Sequence, residues 1–294
     1  MNAKSSSLEV IARVHVSVRT QFEHVRRELD DAKQSGVERD KAVHQLRKAM
    51  QRLRASFRLL QAVDAKAFRK LERQLRRLRR RFGPLRDAAV RLETMRGLLA
   101  QADTETSSSM SAAADQLQAH LDGIWRQTPD VFWREAGDAV DGIEKALQKH
   151  RLDRLTGKSV LAALERQRRR ARRSIRQALG FARHKLRHAM RCRVRRYAVM
   201  RELANEWLDR HDAIAGSLVE LGKQLGHEGD VWLSLDALGQ LGKTAVTGGL
   251  KTCLRQQREQ LLSQHDGELA VWLRSTFARR EQRHGREAGT VSHR

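Results

Sequence analysis

The chain has 294 residues, of which 40% are apolar and only 4% aromatic, and its formal net charge at pH 7 is +24. This length predicts about two domains with buried cores. No run of 18 apolar residues occurs, and the N-terminal stretch lacks the apolar centre of a signal peptide, so we expect no membrane segment and a cytoplasmic location.

The pattern of apolar residues predicts an all-α chain, because Val and Ile do not alternate and only two prolines interrupt it. The predicted helices span residues 8–34, 38–62, 65–82, 85–101, 111–126, 130–151, 157–179, 181–209, 212–225, 229–241 and 250–279. Between them, small and polar residues predict a linker at 102–110, and Gly248–Gly249 predicts a break in the chain. Residues 281–294 are predicted to form a disordered tail.

The positive charge is concentrated in two blocks. Residues 41–86 carry a net charge of +14 and residues 151–200 a net charge of +15, so the rest of the chain is slightly acidic. Like charges this dense repel one another and oppose compactness. We therefore expect an anionic partner.

The two blocks contain related sequences. The segment HQLRKAMQRLRASFRLL (44–60) and the segment HKLRHAMRCRVRRYAVM (184–200) match at a fixed offset of 140 residues. A second pair, FGPLRDAAV (82–90) and LGHEGDVWL (225–233), follows each of them at similar distances. The repeat predicts a duplication, with one helical bundle in residues 1–110 and a second, pseudo-symmetric one in residues 111–280.

On a helical projection the basic residues of each block form stripes beside the buried seam. His44, Arg47, Arg54 and Arg58 share one stripe, which extends for about 21 Å at ~1.5 Å per residue. Arginine forks make paired hydrogen bonds to phosphate oxygens, and a stripe of this length suits a polymer better than a mononucleotide. The alternative, a solvated helix face without a ligand, stays open at this stage.

These segments resemble the CHAD domain, the conserved histidine α-helical domain, over residues 8–279. The resemblance implies two four-helix bundles with pseudo-twofold symmetry around a basic central groove. It also implies binding of inorganic polyphosphate and association with polyphosphate granules. The chain departs from the family pattern at Ala89, where a second acidic residue is usual, and at Cys192 and Val194, where the first copy has Arg52 and Arg54.

The stripes and the resemblance together define a set of candidate polyphosphate-binding residues. These are His44, Arg47, Arg52, Arg54, Arg58, Arg73, Arg76, Arg80, His184, Arg187, Arg191, Arg193 and Arg195.

The sequence also bears on two other classes of function, catalysis and nucleic-acid binding. The chain has no E-x-E, P-loop or H-E-x-x-H motif, so we expect neither catalysis nor a metal or other cofactor. Nonspecific nucleic-acid binding is the alternative function, although the scarcity of aromatic residues argues against base stacking. The pattern does not determine an oligomeric state, and Cys192 and Cys253 are expected to be reduced thiols.

Overall fold

The computed structural model describes residues 3–34, 38–100, 104–210, 212–240 and 245–277. Over these ranges the chain is all-α, as predicted, and it forms ten helices. Their bounds are α1 Ala3–Lys33, α2 Arg39–Leu60, α3 Ala65–Arg81, α4 Gly83–Leu99, α5 Thr104–Arg126, α6 Asp130–Gln148, α7 Gly157–Ala178, α8 His184–Leu208, α9 Ala213–Gln240 and α10 Ala245–Arg274.

The helix boundaries follow local capping chemistry. The side chain of Asp64 accepts a hydrogen bond of 2.9 Å from the amide of Ala67 at the start of α3. At the start of α7, Thr156 and Ser159 form a capping box, in which each side chain satisfies the other's backbone amide. These caps are visible in the sequence as a polar residue directly before an apolar helical repeat.

The largest core joins α1, α2, α3 and α6 with the start of α7 and the end of α8. Aromatic rings contribute much of it: the ring of Phe57 lies 6.3 Å from that of Phe22 and 6.4 Å from that of Phe68. Trp133 of α6 and Trp207 of α8 are also buried in this core. The predicted division after residue 110 stays a prediction, but α6, which follows that point, packs against α1 and α3.

Two smaller cores hold the remaining helices. One joins α4 and α5 to α9 and α10 through residues such as Leu92, Leu121 and Val231. The other joins α7, α8, α9 and α10 through residues such as Ile175 and Met190. Because α2 packs against α8 and α4 against α9, the two basic segments of the sequence come to lie side by side.

Three predicted interruptions of the helices are wrong. Residues 104–110 form the start of α5. The predicted pair 212–225 and 229–241 is the single helix α9, and α10 begins at Ala245 and continues through Gly248–Gly249. Glycine disfavours a helix by only about 1 kcal/mol, which tertiary packing of a long helix can offset.

Within the described residues, no helix combines the length and the apolar character needed to cross a bilayer. The predicted tail, 281–294, lies outside the described residues.

Candidate functional site

Helices α2, α3, α4, α8 and α9 enclose a cavity of about 460 Å³, which we call the basic cavity. Of the residues that the structure describes, nine lysines and arginines line it, together with two carboxylates, those of Asp87 and Asp230. The cationic residues are Arg47, Lys48, Arg54, Arg58, Arg79, Arg86, Arg191, Arg195 and Arg196.

The side chains of Arg47 in α2 and Arg79 in α3 donate hydrogen bonds to each other's backbone carbonyl. The NH1 of Arg47 donates to the carbonyl oxygen of Arg79 at 3.2 Å, and the Nε of Arg79 donates to that of Arg47 at 3.4 Å. Burial lowers the pKa of both guanidinium groups, and with the nearby positive charges it brings that of Arg79 to about 10. Both groups remain charged at neutral pH, in an environment that disfavours the charge.

One carboxylate serves two arginines at the next turns of α2. Arg54 donates to Oε1 of Glu72 from Nε at 3.0 Å and from NH2 at 2.5 Å, and Arg58 donates to the same oxygen at 2.6 Å. Two positive charges therefore share one negative charge, and this part of the cavity keeps an excess of positive charge.

Two glycines of α9 allow the arginines of α8 to approach closely. The guanidinium group of Arg191 lies over Gly229, where an added Cβ would be 1.3 Å from NH1. The same NH1 donates to the carbonyl oxygen of Gly226 at 3.0 Å. One turn further along α8, Cγ of Arg195 lies 3.1 Å from the position of a Cβ added at Gly222. Gly222 and Gly229 thus make room for the basic side chains of α8.

Six of the nine cations have no carboxylate within 4.0 Å among the described residues, whereas Arg54 and Arg58 pair with Glu72, and Arg86 with Glu93. The six are Arg47, Lys48, Arg79, Arg191, Arg195 and Arg196. Burial and the charges of Arg58 and Arg54 lower the pKa of Arg196 to about 10. The cavity thus concentrates positive charge that the two carboxylates of its lining neutralise only in part.

Both histidines of the repeated motif line this cavity. Burial, together with the charges of Arg86 and Lys48, lowers the pKa of His44 to about 4. Burial and the neighbouring His188 and Arg191 also lower the pKa of His184, whose ring lies 4.8 Å from that of Trp232. Both rings are therefore predominantly neutral at pH 7 when no anion is bound.

Comparison with known proteins agrees with this architecture. The sequence model of the CHAD domain matches residues 17–239. The chain belongs to the CHAD domain family. A solved structure, described as the crystal structure of the CHAD domain from the plant Ricinus communis, superposes with a TM-score of 0.59 at 17% sequence identity and covers 90% of each chain. That similarity establishes the shared fold. A search of curated proteins finds no match.

Arg187 occupies a different place in this CHAD domain from the one the motif predicted. It is only 2% exposed and does not line the basic cavity. Its Nε and NH2 donate to the two carboxylate oxygens of Glu228 at 3.0 and 2.7 Å, and its NH1 pairs with Asp266. Nδ1 of the buried His265 lies 2.9 Å from the same Glu228. Although burial opposes ionisation, His265 and Arg187 lower the pKa of Glu228 to about 2.

The other candidates divide into two groups. Seven line the basic cavity: His44, Arg47, Arg54, Arg58, His184, Arg191 and Arg195. Arg52, Arg73, Arg76, Arg80 and Arg193 lie outside it, as does Arg187. Arg52 pairs with Glu202 and Glu206, because α2 crosses α8 at that point, while Arg73 and Arg80 are exposed on the outer face of α3.

Several lining residues were missed as candidates: Lys48, Arg79, Arg86, His188, Cys192 and Arg196. A signal existed for Arg79, which on a helical projection lies next to the apolar seam of α3, whereas Arg73 and Arg80 lie farther from it. On α8, Arg196 faces the cavity and Arg187 does not. The offset of 140 residues pairs Arg187 with Arg47, which does line the cavity, so the repeat alone predicted the wrong arginine.

Among the residues that the structure describes, no group of three or more His, Cys, Asp or Glu side chains is arranged to hold a metal ion.

Proposed function

We propose that the basic cavity binds inorganic polyphosphate without catalysing its breakdown, and that the protein thereby associates with polyphosphate granules. The observation that carries the proposal is the meeting of two basic helices, α2 and α8, around one cavity in which six cations lack a carboxylate partner. Membership of the CHAD domain family supports the same ligand.

The charge of the basic cavity indicates the class of ligand. Buried guanidinium groups without counterions favour an external anion, because a bound phosphate restores the hydrogen bonds and charge balance that burial removes. Groups on two helices face the cavity, so neighbouring phosphates of one chain could be held from both sides. A polyanion with a regular spacing of charge satisfies more of these groups than a single phosphate does.

The lining also bears on nucleic acids. Among the described residues that line it, the ring-bearing side chains are those of His44, His184 and His188, and none is Phe, Tyr or Trp. Stacking of bases on aromatic side chains is the usual source of affinity for single-stranded nucleic acid. The cavity therefore offers contacts to phosphates but few to bases.

The central test removes three unpaired cations from the cavity. We expect the triple variant Lys48→Ala, Arg195→Ala, Arg196→Ala to bind long-chain polyphosphate at least about tenfold more weakly, since each lost charge-assisted hydrogen bond contributes about 1.5–3 kcal/mol before compensation. Binding is measured by calorimetry at physiological salt. Helicity should be retained, because removing like charges relieves repulsion.

The matched control removes the same charge elsewhere. Arg69→Ala, Arg73→Ala, Arg80→Ala acts on exposed residues of the outer face of α3 and should weaken binding by less than about threefold, as expected for screened surface charge. Equal losses in the two triple variants would mean that affinity comes from overall charge and would contradict a site in the cavity. Competition by duplex DNA and RNA at the same salt measures preference among polyanions.

Catalysis is tested separately. The purified protein is incubated with polyphosphate and Mg²⁺ or Mn²⁺, and chain length is followed by gel electrophoresis. We expect no shortening; any shortening that the cavity triple variant abolishes would contradict the non-catalytic part of the proposal.

A further inference from the structure

The basic cavity contains a thiol that polyphosphate binding does not require. Cys192 is half-buried on α8 and lines the cavity. Its Sγ lies 3.5 Å from Nε2 of His188, one helical turn earlier, and NH2 of Arg191 lies 3.4 Å from Nδ1 of the same ring. A guanidinium group can only donate, so Nδ1 accepts and Nε2 keeps the hydrogen that it donates to sulfur.

Positive groups surround this sulfur from several helices. α8 itself supplies Arg191, Arg195 and Arg196, and α3 supplies Arg79, all of which interact with the thiol electrostatically. Arg54 and Arg58 of α2, which share Glu72, and Asp230 of α9 line the same cavity. Burial alone would raise the pKa of Cys192, but His188, Arg191 and Arg196 bring it down to about 7. At neutral pH a large fraction is therefore thiolate, the nucleophilic form.

We propose that Cys192 is a modification site that reacts with an anionic low-molecular-weight disulfide, of which oxidised glutathione is the probe. The thiolate sulfur attacks one sulfur of the disulfide, a new S–S bond to Cys192 forms, and the original S–S bond breaks. One glutathione leaves as a thiolate and takes a proton from water. The sulfur of Cys192 rises by one formal oxidation state and the sulfur of the leaving glutathione falls by one, so the step needs no other oxidant.

The cavity selects the charge of the reagent. Carboxylates of the incoming disulfide meet unpaired guanidinium groups, which raise its local concentration, while a cationic disulfide is repelled. Once attached, the peptide occupies part of a cavity of about 460 Å³ and places carboxylates among the arginines. The consequence that modification prevents polyphosphate binding rests on the proposed function; the reactivity of the thiol does not.

The chain supplies its own control, because Cys253 is an exposed free thiol on α10. Wild type, Cys192→Ser and Cys253→Ser are treated with oxidised glutathione and, separately, with the cationic disulfide cystamine, and the products are followed by intact-protein mass spectrometry. We expect Cys253→Ser to take up glutathione at least about tenfold faster than Cys192→Ser. For Cys192 we also expect oxidised glutathione to react faster than cystamine.

Two measurements on wild type need no variant. Peptide mapping should find the glutathione on Cys192, and alkylation of Cys192 should reach half its maximal rate near pH 7, about 1.5 units below an ordinary thiol. Equal labelling of the two cysteines, or faster reaction of Cys192 with cystamine, would overturn the site.

Labelling of the cysteines in the presence of polyphosphate distinguishes the two proposals. Bound polyphosphate should slow the labelling of Cys192 and leave Cys253 unaffected. If Cys192 labels selectively and polyphosphate gives no protection, the thiol site stands and the binding of polyphosphate in this cavity is contradicted.

Discussion

Arg187 and Arg191 lie one turn apart on α8, yet their surroundings differ. Arg187 is enclosed by Glu228 and Asp266, whereas Arg191 donates to a backbone carbonyl and faces the basic cavity. A buried arginine with two carboxylate partners is part of the fold, because removing it leaves buried negative charge without compensation. An arginine without such partners is available to a ligand.

This contrast predicts opposite outcomes for two single variants. Arg187→Ala should lower the free energy of unfolding by about 3–5 kcal/mol, the usual effect of breaking a buried ion pair. Arg191→Ala should change it by less than about 1 kcal/mol and should weaken polyphosphate binding instead. Urea denaturation and calorimetry measure the two quantities, and comparable stabilities for the two variants would show that the ion-pair network contributes little.

The histidine of the first motif predicts a pH dependence of binding. The pKa of His44 is about 4 in the free protein, and a bound phosphate favours the protonated ring and raises that pKa. Binding then takes up a proton between the two pKa values, so affinity should increase as pH falls from about 7 to 5, by up to about tenfold.

His44→Gln is the control for this dependence, because glutamine keeps a polar side chain but does not titrate. Its affinity should vary much less over the same pH range. An unchanged pH profile in His44→Gln would assign the dependence to another group, such as His184.

At the scale of helices, the glycines of α9 determine how closely α8 can pack. We expect Gly229→Ala to displace the guanidinium group of Arg191 and to weaken binding by about three- to tenfold, which is less than the loss of a whole charge-assisted hydrogen bond because the displaced side chain stays near the cavity. The fold should persist, since only the flexible end of a side chain must move and alanine favours the helix by up to about 1 kcal/mol.

Gly216→Ala is the matched control on the same helix, because nothing lies within 4 Å of the added Cβ. It should gain similar helix propensity and leave binding unchanged. If Gly229→Ala binds as tightly as Gly216→Ala, the position of Arg191 over α9 has no part in binding.

For the whole molecule, the concentration of charge predicts a strong dependence on salt. For DNA, 6–10 phosphate contacts correspond to a loss of about 10³–10⁵ in affinity between 50 and 200 mM salt, and the six unpaired cations place this protein near the lower end. The logarithmic slope should fall by about 2–3 in the Lys48, Arg195, Arg196 triple variant. An affinity of the wild type that does not change with salt would exclude counterion release as its source.

Sequence and structure agree best where the information is local. The bounds of α2, predicted as 38–62 and observed as Arg39–Leu60, follow from an uninterrupted apolar period. The same period places His44, Arg47, Arg54 and Arg58 on one stripe, and all four line the cavity. Two helices were predicted where α9 is one, because the packing of a whole helix outweighs weak local helix propensity.

The sequence by itself determined that this protein is helical, that its charge lies in two related segments, and that arginines border the buried face of each. Only the tertiary structure decided which arginines are free. The carboxylates that hold Arg187 lie 41 and 79 residues away along the chain, and Glu72 lies 18 residues from Arg54. Helical periodicity carries no information over such distances, and a charge is neutralised by what lies near it in space.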